Sequence, residues 1–266
     1  MKIGIVGCAG RMGRMLINEV LAFEGASLVG GTEHGQSEHL GADLGSLVGK
    51  PETGVIVTPD AEALIAAADV IIDFTIPAAT RSNAELASAN DTAMVIGTTG
   101  LSASDQKVIA LAASRVAIVQ AANYSVGVNL MLGMTEQAAA ILGDDMDIEI
   151  VEMHHRHKVD APSGTALALG DAAAFGRGVN LGEVSARARD GHTGARKPGD
   201  IGFASLRGGD VAGEHTVIFA GEGERLEITH KAGTRQIFAV GAVRAASWTL
   251  GREPGLYSMR DVLGLK

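Results

Sequence analysis

The residues of this chain that could bind an anion and transfer a proton are concentrated at positions 152–165. Five consecutive positions, 154–158, hold three histidines, one arginine and one lysine, and a Pro-Ser-Gly-Thr segment follows. Ser163 is predicted to cap a helix, so that Gly164 and Thr165 present backbone N–H groups at its first turn. A helix start beside a lysine attracts anions, and a histidine transfers protons near neutral pH. These two capacities are what a reductase of a small carboxylated substrate needs.

Two other interpretations of the histidines remain open, a solvated edge strand and a metal site. Along a strand, alternation would place His155 and His157 on one face and His154 on the other. No cysteine and no well-placed carboxylate pair accompanies them, so we expect no metal. Lys158 stands six residues before Gly164, which favours anion binding over the role of an ordinary surface lysine.

A glycine-rich turn at residues 7–13 predicts a second site, for a dinucleotide. Residues 2–6 predict a buried strand and residues 14–23 a helix, so the turn joins a strand to a helix. The glycines would let the backbone approach a pyrophosphate at the helix start. Their G-x-x-G-x-x-G spacing also fits an ordinary turn. Cys8 lies inside this loop, away from any substrate carbon, and is interpreted as a packing residue rather than a nucleophile.

Two further segments support the dinucleotide interpretation. Glu33 follows the second predicted strand, where an acid can bind the ribose hydroxyls of adenosine. A Gly-Thr-Thr-Gly turn at residues 97–100 follows another predicted strand, at the sheet edge where ligands of such sheets bind. The second segment alone would indicate only a turn.

Composition narrows the classes of partner. The 266 residues carry 22 basic and 31 acidic side chains, a net charge of -9, which argues against nucleic acid or an anionic membrane as the main partner. Aromatic residues make up 3%, so a base-stacking surface is not expected. One cysteine excludes an internal disulfide and favours a reducing compartment, and no apolar span of membrane length is present. We expect a cytoplasmic protein.

Hydrophobic patterns predict two kinds of architecture along the chain. Near-continuous apolar strands alternating with helices before residue 125 predict a doubly wound parallel sheet, and the later elements predict an α+β region. Its half-buried strands would leave a sheet face that a partner subunit could cover. Residues 182–200 are expected to be a mobile loop. Further strands are expected at residues 26–32, 55–57, 69–75, 93–97, 116–119, 147–153, 201–206, 215–219 and 225–230. Further helices are expected at residues 61–68, 77–90, 102–114, 126–142, 163–175 and 234–250.

Positions 152–166 closely resemble the signature of the 4-hydroxy-tetrahydrodipicolinate reductase (dihydrodipicolinate reductase) family. Residues 7–13, 97–100, 122–127 and 191–194 are similar to other blocks of that family, in its order and spacing. The resemblance implies an NADH- or NADPH-dependent oxidoreductase that reduces a small cyclic dicarboxylate to tetrahydrodipicolinate, in the diaminopimelate route to lysine.

The same resemblance implies the domain division. A Rossmann-type α/β domain would combine residues 1–125 with residues 235–266. A central α+β domain, residues 126–234, would bind substrate and form a homotetramer.

The resemblance also implies residue roles. The proton donors would be His154 and Lys158. The substrate carboxylates would be held by His155, Lys158, Ser163, Gly164 and Thr165. The cofactor would be bound by Gly7, Cys8, Ala9, Gly10, Arg11, Met12, Glu33, His34, Gly97, Thr98, Thr99, Ala121, Ala122, Asn123 and Tyr124. No metal is implied.

The position after the ribose acid departs from the family pattern. Many members have an arginine there, where it can contact the phosphate of NADPH, whereas this chain has His34. Arg11 is the remaining phosphate partner. We therefore expect NADH to be used at least as well as NADPH.

Two rival functions differ in the residues they need. A semialdehyde dehydrogenase acting through a thioester needs a cysteine in the second region, where this chain has none; a homoserine-type reductase is the related alternative. A non-catalytic nucleotide sensor would keep residues 7–13 but would not need His154 and Lys158 together with the Ser-Gly-Thr helix start.

Overall fold

The chain forms two units, which a computed structural model describes over residues 1–265. The first unit combines Met1–Ser125 with Gln236–Gly264, and the second contains Val126–Arg235. Arg235 and Leu265 are grouped with the second unit, although the expected boundaries placed them in the first. For Arg235 the physical reason is a contact of its guanidinium with a histidine ring of the second unit, at 3.4 Å.

Strands and helices alternate over most of the described chain. The strands are β1 (Lys2–Val6), β2 (Ser27–Thr32), β3 (Val57–Thr58), β4 (Val70–Asp73), β5 (Ala93–Ile96), β6 (Ala117–Gln120), β7 (Asp147–His154), β8 (Ser185–Ala186), β9 (Ile201–Arg207), β10 (Gly213–Ala220), β11 (Arg225–Ala232) and β12 (Gly255–Tyr257). The helices are α1 (Arg11–Ala22), α2 (Ala61–Ala67), α3 (Pro77–Ala89), α4 (Ala103–Ala113), α5 (Val126–Leu142), α6 (Gly164–Arg177), α7 (Leu181–Val184), α8 (Gln236–Thr249) and α9 (Met259–Leu263).

The first unit contains a seven-stranded sheet in the order β12-β6-β5-β4-β1-β2-β3, in which every neighbouring pair is parallel. Its central strands are buried because helices cover both faces, one core containing Leu16 and Val243 and the other Ile65 and Ile109. All strands run in the same direction, but successive strands are added on one side from β1 to β3 and on the other side from β4 onward. A crevice is expected at this switch point, at the carboxyl ends of β1 and β4. The predicted doubly wound α/β fold is confirmed.

The second unit contains a five-stranded mixed sheet in the order β11-β10-β7-β9-β8. Strand β7 pairs antiparallel with β10 and parallel with β9. One face is buried under α5 and α6, where Ile148 and Phe219 join the core with Leu169. The other face is only half buried, which explains the alternation of polar and apolar residues along β7.

Several boundaries differ from the sequence expectations. Helix α1 begins at Arg11, directly after the glycine turn, rather than at residue 14. Strand β3 contains Val57 and Thr58 only, because Ile56 instead forms an antiparallel bridge with Asp43. The expected loop at residues 182–200 contains most of α7 and all of β8.

The segment 182–200 is also tied to the half-buried sheet face. Arg189 donates two hydrogen bonds to Glu149, and Arg196 donates to both Glu149 and Asp147. Two short elements near the C-terminus, β12 and α9, were not predicted from the sequence. Among residues 1–265, no helix has the length and apolar character needed to cross a membrane.

Candidate active site

The glycine turn of the first unit is closed by backbone hydrogen bonds. Gly7 and Cys8 both donate to the carbonyl of Thr32, and Gly10 donates to the carbonyl of Gly7. Gly7 has a φ of +69°, which favours glycine. A Cβ on Gly13 would lie 2.2 Å from the Gly7 carbonyl oxygen, so only glycine permits this approach of helix to turn. The turn therefore brings bare backbone to the start of α1, as a pyrophosphate site requires.

Glu33 contacts this turn directly. Its Oε1 accepts a hydrogen bond from the backbone N–H of Ala9 at 2.9 Å, which links the end of β2 to the loop. A surface cavity of about 430 Å³ beside it is lined by Ala9, Gly10, Glu33, His34, Gln36, Ser37, Glu38 and His39. Cys8 points away from the surface, and burial, followed by the charge of Glu33, raises the pKa of its thiol to about 12. The packing role interpreted for Cys8 agrees with this environment.

A network of hydroxyl groups surrounds the carboxylate of Asp73 at the end of β4. Asp73 is fully buried and accepts hydrogen bonds from the backbone and hydroxyl of Thr75. It also accepts from the Asn83 amide at 2.9 Å and the Thr98 hydroxyl at 3.2 Å. Thr98 in turn accepts from the hydroxyl of Thr80 at 2.8 Å. The network fixes the backbone at the carboxyl ends of β4 and β5, where ligands of parallel sheets bind.

Tyr124 anchors the segment that follows β6. The ring is 1% exposed, and its hydroxyl donates to the carbonyls of Ile96 and Val119. Its centroid lies 5.4 Å from that of Phe74, and burial raises the pKa of the phenol well above its usual value. The Asn123 side chain accepts from the backbone N–H of Ser125. Residues 121–124 are thereby held beside the ends of β5 and β6.

A second cavity of about 470 Å³ lies at the carboxyl ends of β1, β2 and β4. It is lined by Val6, Gly7, Gly10, Thr32, Glu33, His34, Pro59, Ala61, Phe74, Thr75, Ile76, Ala79 and Asn83. The glycine turn and the ribose acid share this lining, and bare backbone with a carboxylate is what a dinucleotide needs. The residues present therefore fit a nicotinamide dinucleotide.

In the second unit, His154 is the last residue of β7 and is 9% exposed. Its Nδ1 lies 2.6 Å from Oε2 of Glu152, two residues earlier on the same strand. Arg207, on the neighbouring strand β9, donates to both oxygens of Glu152 at 2.8 and 2.9 Å. Burial alone would raise the pKa of the Glu152 carboxyl, but Arg207 and then His154 bring it below its usual value. Glu152 is therefore a buried and ionised carboxylate.

His215, on β10, completes this cluster. It packs edge-on against His154 with ring centroids 5.1 Å apart, and its Nε2 lies 3.2 Å from the hydroxyl of Ser163. Burial, followed by the charge of His154, lowers the pKa of His215 to about 4. His215 is therefore neutral at pH 7.

After His154 the chain leaves the sheet. His155 donates its backbone N–H to the carbonyl of Val211, and Lys158 donates to the carbonyl of His155, so residues 155–158 form a turn. The expectation that His155 and His157 share one strand face is wrong, because the strand has ended; their rings lie 6.3 Å apart within the turn.

Charged neighbours surround this turn. The Lys158 ammonium lies 2.8 Å from Oδ1 of Asp160, which lowers the pKa of that carboxyl. Partial burial and then Arg235 lower the pKa of His155. A neutral imidazole and a lysine thus lie in the segment that leads to α6.

Ser163 is the N-cap of α6, as predicted. Its hydroxyl accepts a hydrogen bond from the backbone N–H of Ala166 at 3.2 Å. Its own backbone N–H donates to Oε1 of Glu152 at 3.3 Å. A Cβ on Gly164 would meet no heavy atom within 4 Å, so the first turn faces open space that an anion can enter.

Sequence reasoning left several of these groups without a role. Glu152 stands in the signature segment but was given none, and Arg207, His215, Asp73 and Thr75 were not singled out. Arg207 and His215 come from β9 and β10, so only the pairing of strands brings them to the site. Glu152 and His154, like Asp73 and Thr75, are two residues apart, and this spacing was the local signal available in the sequence. Among residues 1–265, no group of three or more histidine, cysteine, aspartate or glutamate side chains is arranged to hold a metal ion.

This chain is similar to known proteins in sequence and in structure. A model described as dihydrodipicolinate reductase, N-terminus, matches residues 1–124, and one described as the C-terminus matches residues 127–263. A 4-hydroxy-tetrahydrodipicolinate reductase of Parvibaculum lavamentivorans is 58% identical over 266 residues, covering 100% of this chain and 98% of the relative. One of Rhodopseudomonas palustris is 57% identical over 265 residues, covering 100% and 97%.

The structural comparison agrees. A dipicolinate-bound dihydrodipicolinate reductase from Paenisporosarcina sp. TG-14 has a TM-score of 0.79 and 26% identity, covering 97% of both chains. A probable dehydrogenase from Thermotoga maritima has a TM-score of 0.63 at 11% identity, covering 98% of this chain and 92% of that one, and supports the fold alone. Both halves of the sequence match the family models, and the relatives match from end to end, so this chain belongs to the dihydrodipicolinate reductase family.

Proposed function

We propose that this chain is a 4-hydroxy-tetrahydrodipicolinate reductase, which uses NADH or NADPH to form tetrahydrodipicolinate in the diaminopimelate route to lysine. The curated relatives with this name match the chain over its whole length. The observation that carries the proposal is that one buried carboxylate, Glu152, contacts two functional groups. His154, which can give a proton, and Ser163, which starts an anion-ready helix, both contact the same buried carboxylate. Net, one hydride and one proton are taken up and one water leaves.

The first unit would hold the dinucleotide. Gly7 to Met12 would cradle the pyrophosphate, and Glu33 would bind the ribose next to adenine. The segments 97–99 and 121–124 would line the nicotinamide end, where the Asp73 network and Tyr124 fix the backbone. A reduced nicotinamide bound there supplies the hydride.

The second unit would bind and protonate the substrate. The relative from Paenisporosarcina is described as bound to dipicolinate, which supports a dicarboxylate ligand. The open first turn of α6 at Ser163, Gly164 and Thr165 would bind one carboxylate, and His155 would assist. Lys158, which contacts Asp160, would exchange that carboxylate for one of the substrate and could also give a proton. His154 would give the proton that accompanies the hydride.

For the cofactor, we propose that NADH is used at least as well as NADPH. The cavity beside the ribose acid contains two carboxylates, Glu33 and Glu38, which would repel a ribose phosphate. His34 is exposed, and its single imidazole cannot bind a phosphate bidentately as the guanidinium of an arginine would. Arg11 is exposed at the start of α1 and is the remaining basic partner.

We also propose that the protein is a cytoplasmic homotetramer. Strands β7, β9 and β10 present Val151, Leu206 and Ile218 on the face that α5 and α6 do not cover, and Leu206 is 50% exposed. A partner subunit on this face would bury these side chains. The one cysteine, Cys8, is free and buried, which suits a reducing compartment. Sedimentation of the purified protein would give four times the mass of the chain; a monomer at micromolar concentration would contradict the assembly.

The test of function is a coupled assay. The preceding condensation enzyme generates the substrate from pyruvate and aspartate semialdehyde, and absorbance of the reduced nicotinamide is followed with NADH and then with NADPH. We expect substrate-dependent oxidation, with kcat/KM for NADH at least equal to that for NADPH. A folded protein that binds NADH but oxidises neither cofactor would contradict the function, and a strong NADPH preference would contradict only the cofactor proposal.

A further inference from the structure

Glu152 is a buried carboxylate of the second unit with a partner for each oxygen. It is 1% exposed and both of its oxygens are occupied. Oε2 faces Nδ1 of His154 at 2.6 Å and accepts from Arg207 at 2.9 Å. Oε1 accepts from Arg207 at 2.8 Å and from the backbone N–H of Ser163 at 3.3 Å. Burying a charge costs free energy unless the charge is paired. We therefore ask which of the partners of Glu152 depend on its charge for their function.

A purely structural ion pair would need only Arg207, whose fork matches the two oxygens. The side chain of Ser205, the residue opposite Glu152 on β9, is a further structural partner. His154 and Ser163 belong to the proposed reaction, His154 as the proton donor and Ser163 as the residue that caps the anion-binding helix. Arg207 also donates to the backbone carbonyl of Asp160, so the same guanidinium holds the turn that carries Lys158. Three parts of the proposed substrate site, namely His154, the turn that carries Lys158 and the helix start at Ser163, therefore contact one carboxylate or one guanidinium.

The contact at Nδ1 determines what His154 can do. When Nδ1 donates its proton to Glu152, Nε2 is the nitrogen that is free to protonate substrate. Nε2 lies beside Gly213, where a Cβ would approach it to 3.0 Å, so the absence of a side chain at this position keeps that nitrogen accessible. The negative charge of Glu152 stabilises the imidazolium that must exist before proton transfer.

Arg207 has the opposite electrostatic effect. Its positive charge keeps Glu152 ionised, so the carboxylate holds His154 without taking its proton. His154 is also faced by His215 from β10 and by His155 from the turn after β7, and both of these rings interact with the charge of Lys158. Among these neighbours, Glu152 alone is negative and favours protonation of the ring.

We propose that Glu152, clamped by Arg207, is a positioning residue that fixes the proton donor His154 and the helix start at Ser163 in one arrangement. This inference rests on the proposed reductase function, because it assigns His154 as the group that gives the proton. It adds a single anchor for the acid and the anion site, and it predicts how the charge of that anchor sets the pH range of the reaction.

Two substitutions test the anchor with opposite expected signs. In Glu152→Gln the imidazolium loses its negative neighbour, so kcat should fall about 100-fold and the alkaline limb of the kcat/KM profile should move to lower pH by about one unit. In Arg207→Gln the repulsion is removed while the carboxylate remains, so the alkaline limb should move to higher pH. Glu152→Asp keeps the charge and should keep the limb near its wild-type position.

A matched control is available on the same strand. Glu149 is paired with two arginines, Arg189 and Arg196, and lies on the face of β7 opposite Glu152 and His154. Glu149→Gln should leave the alkaline limb where it is in the wild type. If both site variants lose activity with no displacement of either limb, or if Glu152→Gln stays within twofold of wild type, the positioning role is wrong.

A spectroscopic measurement separates this inference from the function itself. In protein labelled with ¹⁵N-histidine, the His154 ring is assigned by its disappearance in His154→Gln. We expect a protonated Nδ1 in the wild type and titration of the ring at lower pH in Glu152→Gln. This result can be obtained even if the coupled assay shows no turnover, which would contradict the reductase but not the anchor. A wild-type ring with Nδ1 unprotonated at neutral pH would overturn the anchor, including the case where Glu152→Gln does not fold.

Discussion

Each unit of the protein contains a buried carboxylate near the carboxyl end of a central strand, but the two have different partners. Asp73, in the first unit, accepts from two threonine hydroxyls, an asparagine amide and a backbone N–H. Glu152, in the second unit, also has neutral partners, the backbone N–H of Ser163 and the side chain of Ser205, but it contacts a guanidinium and an imidazole as well. Neutral donors fix geometry without a second charge, whereas ionisable partners also control a proton. The comparison indicates that Asp73 holds the loops at the ends of the strands in place, whereas Glu152 also influences proton transfer by His154.

The consequences of removing either charge should differ in kind. Loss of the Asp73 charge would disturb the loops that follow β4 and β5 and should therefore appear in cofactor affinity and stability. Loss of the Glu152 charge should appear in the pH dependence of turnover. Substitutions at the two positions can therefore test whether the difference in partners is a difference in role.

The largest effect on turnover is expected from substitution of His154, the proposed proton donor beside Glu152. His154→Gln keeps a polar side chain in the place of the ring but cannot donate an acidic proton, so kcat should fall about 100-fold or more, or about 2.7 kcal/mol in activation free energy. NADH binding, measured by fluorescence titration, should stay within about twofold, because the dinucleotide site is built from the first unit. A variant that retains more than a third of wild-type turnover would remove His154 as the principal acid.

A smaller effect is expected from the neutral network. Asp73→Asn replaces an acceptor oxygen by an amide that points at donors from Thr75 or Asn83, which leaves buried groups unsatisfied. We expect a loss of about 1–3 kcal/mol of unfolding free energy and weaker NADH binding, with the limbs of the pH profile unchanged. Urea unfolding and the kcat/KM profile measure both. A displaced alkaline limb in Asp73→Asn would erase the proposed distinction between the two carboxylates.

The sequence predicts those parts of the molecule that depend on neighbouring residues. The N-cap at Ser163, the alternation along β7 and the strand-turn-helix at residues 2–22 follow from local patterns, and the structure confirms them. The contact between Glu152 and Arg207 does not, because it arises from the parallel register of β7 and β9, 55 residues apart.

The Asp73 network was missed for the same reason. It depends on the pairing of β4 with β5 and on the place where α3 presents Asn83. Strand β12 was missed because it is three residues long and shows no alternation that would separate it from a loop. Local physics thus predicts which groups can act, whereas tertiary pairing decides what holds them.

The smallest effect concerns stability in weak acid and uses His215, the neutral neighbour of the charged cluster. Its pKa is about 4 in the folded state, because burial and then His154 disfavour the charged ring, and an unfolded histidine titrates near 6.5. The unfolded state therefore binds the additional proton as pH falls below 6.5, and the folded state loses stability until the pH reaches about 4. Glu152 opposes this shift, whereas His230 and Lys158 add to it.

Between pH 7 and pH 5.5 this linkage amounts to about 1 kcal/mol of unfolding free energy. His215→Gln removes the titrating group, so its unfolding free energy should fall by less over the same interval, as measured by urea unfolding at each pH. The difference between the two slopes isolates His215 from the other histidines, since they are present in both proteins. Equal slopes would mean that His215 is not held neutral. In that case the neutral His215 ring would no longer count among the features that distinguish the surroundings of Glu152 from those of Asp73.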